Sequence, residues 1–332
     1  MNLPVGHFLK NFPWRYYISG GLFLPSAQLI FHLSTDYSAV FLAREGRSVG
    51  FESAVGVLPD APPILGESVQ PVVVERSFTA RLLSRWRLHG VPQFVLLPDL
   101  RPSDFYCNVH QSSGLRENTL AGLIESLQED PKQVIGTWDE TRSFRWSVLE
   151  TDLTPLSGEI GRQQTHLLIL GVPDEYCSQC EQWFRSQKGV CLGIIPAPLA
   201  CAWWFLNRVP VGDYTQILMV AQKSHCFFFV FYQGRITLVR HLEEPLDAAQ
   251  KEAGRLINEL ASSASAEPEV YIWNPEAKYP VRDLPPNWVL LKDELLQRLS
   301  GIRVRFKKPD GARVEAFDPF THLAVWLQKQ LA

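Results

Sequence analysis

The sequence predicts an α/β fold made of two sister halves, and three observations lead to that prediction. Hydrophobic residues make up 46% of the 332 residues, which is enough apolar material for extended cores. Three closely joined strand patterns occur over residues 28–57, and three more occur over residues 214–242. In each half a further buried strand follows, so the chain is predicted to be an internal duplication.

The first half opens with the strands LIFHL, AVFLA and SVGFESAV, which are joined by short polar turns. After a proline-rich crossing, residues 78–90 have apolar side chains at helical spacing, and QFVLLP is a short buried strand. Residues 104–172 show a different order of predicted elements. The strand FYCNVH comes first, an amphipathic helix over 115–129 follows, and the strands SFRWSVLET and HLLILGVP come last. We therefore expect a small β-α-β-β module inserted in the first half.

The second half repeats the pattern after a helix predicted over residues 174–188. Its strands are TQILMVAQ, CFFFVFY and RITLVRHL, with a Gln-Gly turn between the last two. A helix over 245–262, the strand VYIWNP, a short helix over 293–300 and a closing helix complete the chain. The predicted organisation therefore has four parts. Residues 1–27 are an N-terminal extension, and residues 28–103 together with 173–212 form the first domain. Residues 104–172 are the insert within it, and residues 213–332 form the second domain.

Composition and charge exclude some classes of protein. The formal net charge is −3, and no basic cluster exceeds a few residues, so we expect no nucleic-acid partner. The six cysteines lie mostly in apolar runs, which indicates a reducing compartment rather than a disulfide framework. Cys177 and Cys180 fall on one predicted helix, so buried thiols are favoured over a zinc site.

Two uncharged stretches, residues 16–35 and 189–207, were candidates for crossing a membrane. The first contains glycine, proline and histidine, and Pro196 and Pro198 interrupt the second near its middle. We expect the second to be a buried strand, a turn and a buried helix. Pro13 and Arg15 also interrupt any apolar core of a secretory signal at the N-terminus.

The layout resembles the actin-like ATPase superfamily, and within it the PilM-like type IV pilus assembly proteins. The cytoplasmic part of GspL and the division protein FtsA are more distant relatives in that resemblance. It rests on the duplicated layout, the insert, and the segments SQCEQWFRSQKG, YQGRITLVRHL and VEAFDPF. It implies an actin-like, ribonuclease H-like duplicated fold. The short stretch between residues 242 and 270 implies that the cap subdomain of the second domain is reduced.

The same resemblance locates three nucleotide-binding turns, and none of them is intact. In the family each phosphate turn carries an Asp for Mg²⁺ and a Gly that lets the backbone approach phosphate. The residues found in the three turns here are His32, Ser34 and Asp36 in the first, Gln222, Lys223 and Ser224 in the second, and Asn274 in the third. We therefore expect a pseudo-ATPase with no catalytic residues, no metal site and no required cofactor. Residual binding of ATP with Mg²⁺ through His32, Lys223 and Ser224 is the less favoured alternative.

Aromatic residues in or near the insert are candidates for a partner site. Phe105, Trp138 and Trp146 are either the core of a small module or part of a peptide groove. The resemblance implies a groove between the insert and the first domain that binds the cytoplasmic tail of a PilN-like single-span membrane protein. It thus implies a non-catalytic scaffold of a pilus or type II secretion platform, in the cytoplasm and peripheral to the inner membrane. An active actin-like ATPase and an FtsA-like filament-forming homo-oligomer are the alternatives.

Overall fold

The computed structural model describes sixteen parts of the chain, and the account below is confined to them. They are residues 27–33, 37–44, 47–55, 93–112, 119–136, 142–154, 156, 160, 166–187, 190–208, 212–222, 224–244, 246–261, 268–273, 288–293 and 313–317. The helix expected over 78–90, the closing helix and nearly all of the N-terminal extension lie outside the described residues.

The first sheet has five strands in the order β3-β2-β1-β4-β8. Its strands are β1 (Ala27–Leu33), β2 (Tyr37–Arg44), β3 (Arg47–Val55), β4 (Gln93–Pro98) and β8 (Val190–Ile194). The first three form antiparallel hairpins, whereas β4 and β8 run parallel to β1. Val95, Leu96 and Leu97 of β4 are fully buried, as a central strand covered on both faces requires.

The second sheet has six strands in the order β11-β10-β9-β12-β13-β14. Its strands are β9 (Gln216–Ala221), β10 (Cys226–Tyr232), β11 (Arg235–Leu242), β12 (Glu269–Trp273), β13 (Trp288–Asp293) and β14 (Arg313–Phe317). Again three antiparallel strands are followed by strands parallel to the first of them. This repeated order confirms the predicted duplicated, actin-like fold class.

Two helices enclose the second sheet. Helix α5 (Leu246–Ala261) places Ala253 and Leu256 against one face. On the other face Phe205 of helix α4 (Ala197–Arg208) stacks on Phe231, with ring centroids 4.8 Å apart. Because both faces of β10 are covered, its sequence is a continuous apolar run rather than an alternating one.

The insert is a three-stranded antiparallel sheet in the order β5-β7-β6. Its elements are β5 (Tyr106–Gln111), α1 (Leu120–Glu129), α2 (Pro131–Ile135), β6 (Phe144–Glu150) and β7 (His166–Pro173). Helix α1 covers one face with four buried side chains, Leu120, Leu123, Ile124 and Leu127. Helix α3 (Asp174–Ser186) follows β7 directly.

Some predicted element boundaries are wrong. The helix expected from residue 115 begins at Leu120, because Thr119 has extended backbone and its hydroxyl accepts the Gly122 N–H as an N-cap. Strand β13 was not predicted, and Asp293 belongs to it instead of starting a helix. By contrast, both central residues of the Gln-Gly turn, Gln233 and Gly234, have positive φ, as the predicted hairpin needs.

The buried strand, turn and helix expected over residues 189–207 are present as β8 and α4. Within the described residues, no helix combines the length and the apolar character needed to span a membrane. Cys177 and Cys180 are free and buried on α3, and burial raises the pKa of Cys177 to about 12. The described residues contain no group of three metal-ligating side chains.

Candidate functional site at the lobe junction and the insert groove

The turn between β9 and β10 is the part of the expected nucleotide site for which the structure describes side chains, those of Gln222 and Ser224. The backbone N–H of Gln222 donates to the carbonyl of His225 at 2.9 Å, which closes the turn. Gln222 is only 4% exposed and His225 only 5%, although both belong to a hairpin turn. Ser224 is exposed, and its hydroxyl lies 3.3 Å from His225 Nδ1. Two side chains of this turn are therefore buried, whereas a third is exposed.

Neither buried side chain offers a charge to a metal ion or a phosphate. Both amide atoms of Gln222 and the Nε2 atom of His225 are buried without a hydrogen-bond partner. Burial lowers the pKa of His225 to about 4, so the imidazole is neutral at pH 7. Mg²⁺ is normally held by carboxylate and water oxygens. Gln222 and His225 supply neither a carboxylate nor a cation.

Of the remaining residues of the expected nucleotide site, the structure describes only the backbone of one, His32. His32 lies on β1 and pairs with Ala39 in the first hairpin, and its side chain is not among those described. Ser34, Asp36, Lys223 and Asn274 lie outside the described residues. Their roles stay predictions.

A segment that connects the two halves lies beside this turn. Residues 101–105 lead from β4 of the first sheet to β5 of the insert, through a short 3-10 turn over Pro102–Asp104. The Ser103 N–H donates to Glu243 Oε1 at 2.8 Å, and this hydrogen bond lowers the pKa of Glu243. Phe105, a candidate groove residue, is 6% exposed and packs on Phe227 of β10, with ring centroids 5.2 Å apart.

Asp104 is the buried charge of this junction. Its carboxylate accepts from Arg101 Nε at 2.8 Å and lies 3.7 Å from an Arg142 nitrogen. His225 faces the same group of charges, because Glu243, Arg101 and Asp104 all act electrostatically on its ring. The junction thus brings together residues from the first sheet, the insert and the second sheet.

Sequence reasoning did not find this junction. Ser103 and Glu243 are 140 positions apart, and neither belongs to a motif or a periodic face. The one available signal was the polar trio Gln222, Ser224 and His225 between two apolar strands. The burial of Gln222 and His225 was not predicted.

A groove of about 880 Å³ opens at the start of β6. One wall is the corner between α1 and α2, from Leu127 to Lys132, and the other is one side of α3, with Asp174 and Glu181. The floor is the start of β6 with the residues before it, namely Arg142, Ser143, Phe144, Arg145 and Trp146. Acidic and basic side chains are mixed along the groove.

Trp146 is a candidate groove residue that is also a core residue. Its side chain is 3% exposed and belongs to the cluster under α1, and it also lines the groove. Its ring lies 5.6 Å from Phe144 and 5.7 Å from Tyr106. Trp138, the third candidate, lies outside the described residues.

Arg145 connects the floor of the groove to its α3 wall. Its guanidinium donates to Asp174, to Glu181 and, at 3.1 Å, to the hydroxyl of Ser178. Burial disfavours its charged form, but the hydrogen bonds to Glu181 and Asp174 outweigh that effect and raise the pKa of Arg145. The Arg145 side chain is 23% exposed, so water has only limited access to these contacts.

Replacing Arg145 by methionine should therefore destabilise the insert. The change keeps the apolar stem of the side chain but removes the cation that Asp174 and Glu181 share, at an expected cost of about 1–3 kcal/mol. Arg185→Met is the matched control, because Arg185 approaches the same Glu181 at 3.9 Å from a position 71% exposed. The control should change stability by less than about 0.5 kcal/mol. Equal losses in urea denaturation would contradict the anchoring role of Arg145.

Several solved structures are similar to this chain over nearly its whole length. A PilM–PilN type IV pilus biogenesis complex matches at 13% identity and a TM-score of 0.49, covering 92% of this chain and 97% of the other. The cytoplasmic domain of EpsL, an inner-membrane component of the type II secretion system of Vibrio cholerae, matches at 10% and 0.45, covering 92% and 94%. A Bacteroides thetaiotaomicron protein with an actin-like ATPase fold matches at 10% and 0.44, covering 92% and 96%.

These structures include the kinds of protein that the sequence resemblance named. No protein-family model matches the chain, and no curated protein matches it. At identities of 10–13% and TM-scores below 0.5, similarity does not transfer a function from those proteins to this chain. Function therefore has to be argued from the residues of the site.

Proposed function

We propose that this protein is a non-catalytic scaffold of a type IV pilus or type II secretion inner-membrane platform. In this proposal it lies in the cytoplasm and binds the cytoplasmic tail of a PilN-like single-span membrane protein. The observation that carries the proposal is the β9–β10 turn, residues 221–226, which contains neither the Asp nor the Gly that the resemblance implies and in which Gln222 is buried and His225 is buried and neutral.

The chemistry of phosphoryl transfer explains why this turn matters. Nearly all the catalysis of that reaction is positioning and charge stabilisation by Mg²⁺ and cationic groups around the phosphates. Gln222 and His225, an uncharged amide and an uncharged imidazole, supply neither a ligand that Mg²⁺ prefers nor a positive charge. The actin-like fold is kept, and its role becomes the presentation of binding surfaces.

The groove at the start of β6 is the surface that we assign to the tail. It is formed by several elements of the insert and by α3, and it has both aromatic and charged lining residues. Tails of membrane proteins are short and bind as extended segments or short helices in such grooves. The sequence resemblance implies that a PilM-like protein uses a groove next to its insert for this purpose.

A pull-down with a matched pair of variants tests this proposal. The bait is the cytoplasmic N-terminal peptide of the single-span protein encoded next to this chain, with a scrambled peptide as the reference. Gln128→Trp places a large ring in the groove from an exposed position of α1. Gln182→Trp adds a ring of the same size at an exposed position of α3 that does not line the groove.

We expect the wild-type protein and Gln182→Trp to retain the peptide and Gln128→Trp to lose most of it. No retention by the wild-type protein would contradict the scaffold proposal. Equal retention by the two variants would contradict the assignment of the tail to this groove.

A further inference from the structure

We propose that residues 101–105 and Glu243 form a latch through which the second sheet holds the floor of the insert groove in place. The latch goes beyond the proposed function, because it does not depend on what the groove binds. It is a conformational device built into the junction of the two halves and the insert.

Two hydrogen bonds attach the insert to the second sheet. Ser103 donates its N–H to Glu243 at 2.8 Å, immediately beyond the end of β11. A second hydrogen bond joins the two units, from the Ile236 N–H of β11 to the Thr151 carbonyl after β6, at 2.7 Å. The second sheet therefore touches the insert at two separate places along the chain, before β5 and after β6.

Asp104 links this attachment to the groove. Asp104 follows Ser103 directly, and its buried carboxylate lies between Arg101 and Arg142. Arg142 is one of the residues that line the groove, and the carbonyl of Ser143 beside it accepts the Asp174 N–H at 3.0 Å. A displacement of the 101–105 segment would move Asp104 and so change the position of Arg142 at the groove floor.

The contacts of residues 103–105 differ in their exposure to water. Asp104 and Phe105 are buried, whereas Glu243 is exposed and bonds to Ser103 at the surface. Exposed hydrogen bonds open more readily than buried ones, because water replaces the partner at little cost. The Ser103–Glu243 bond is therefore the contact that releases first, and the Asp104–Arg142 ion pair, at 3.7 Å with the Arg142 side chain 55% exposed, carries the release to the groove.

Hydrogen exchange measured by mass spectrometry tests the latch without any ligand. The test variant is Glu243→Ala, and the matched control is its exposed neighbour, Glu244→Ala. The latch predicts that Glu243→Ala raises exchange at 101–105 and also, about threefold or more, at 142–146, which Glu243 does not touch. Glu244→Ala should leave both segments unchanged.

A double variant separates transmission from a general loss of stability. In an Arg142→Ala background the Asp104 contact is already cut, so adding Glu243→Ala should no longer speed exchange at 142–146. If Glu243→Ala alters exchange only at 101–105, or if its effect at 142–146 persists in the Arg142→Ala background, the latch is overturned. Should Glu243→Ala not fold, Glu243→Leu takes its place under the same two criteria, because it also removes the acceptor of the Ser103 N–H.

Discussion

Replacing Gly171 by alanine is expected to destabilise the protein by about 1–3 kcal/mol, the range for overpacked cores. Gly171 lies on β7 opposite both Tyr106 and Trp146, and the indole ring lies across it. A Cβ atom there would be 2.6 Å from Cζ3 of Trp146 and 3.1 Å from Cδ1 of Phe144. The ring would have to move into the tightly packed layer under α1, so the substitution strains the core of the insert.

Two further variants make this prediction specific. Gly254→Ala, on α5, adds a Cβ that meets nothing within 4 Å, so it should stabilise the protein by up to about 1 kcal/mol through helix propensity. In a Trp146→Leu background the ring is absent, and Gly171→Ala should cost much less than in the wild type. Urea denaturation midpoints measure all three effects. A neutral Gly171→Ala, or an undiminished cost in the Trp146→Leu background, would contradict the packing described.

The second large effect concerns pH, and it centres on His225. Its pKa is lowered by burial to about 4 in the folded protein, against an ordinary value of 6.5. Between these two values the unfolded chain binds a proton that the folded protein does not. The stabilisation is therefore fully present above about pH 6.5 and is lost as the pH falls towards 4, by about 3 kcal/mol in total.

The slope of unfolding free energy against pH measures this contribution directly. His225→Gln removes the titrating ring, so the slope between pH 4 and 6.5 should become clearly shallower than in the wild type. Some slope should remain, because burial also lowers the pKa values of His110 and His241. Identical slopes for the wild type and His225→Gln would show that His225 is not buried as described.

The sequence was informative where the local pattern determines the structure. The strands β9 to β11 are predicted almost to the residue, because apolar runs and a Gln-Gly turn with positive φ fix a hairpin locally. Strand β13 was missed because its short segment WVLLKD has no hairpin partner in sequence. Its neighbours β12 and β14 are parallel strands that lie far apart along the chain.

The site was harder to predict than the fold. The sequence identified Gln222 and Ser224 as occupants of a degenerate turn, but the neighbouring His225 is acted on by the charges of Arg101 and Asp104, more than 100 residues earlier. Trp146 was expected as either core or groove, and the structure gives it both environments. Such ambiguity is resolved by tertiary packing, which no local pattern contains.

Calorimetric titration with Mg-ATP tests the central claim most directly, namely that the nucleotide cleft is filled by the protein's own side chains. With protein in the calorimeter cell at pH 7 and 25 °C, we expect no saturable heat of binding from ATP in the presence of excess Mg²⁺. Saturable binding with a micromolar Kd would contradict the claim and would favour an active actin-like nucleotide-binding protein.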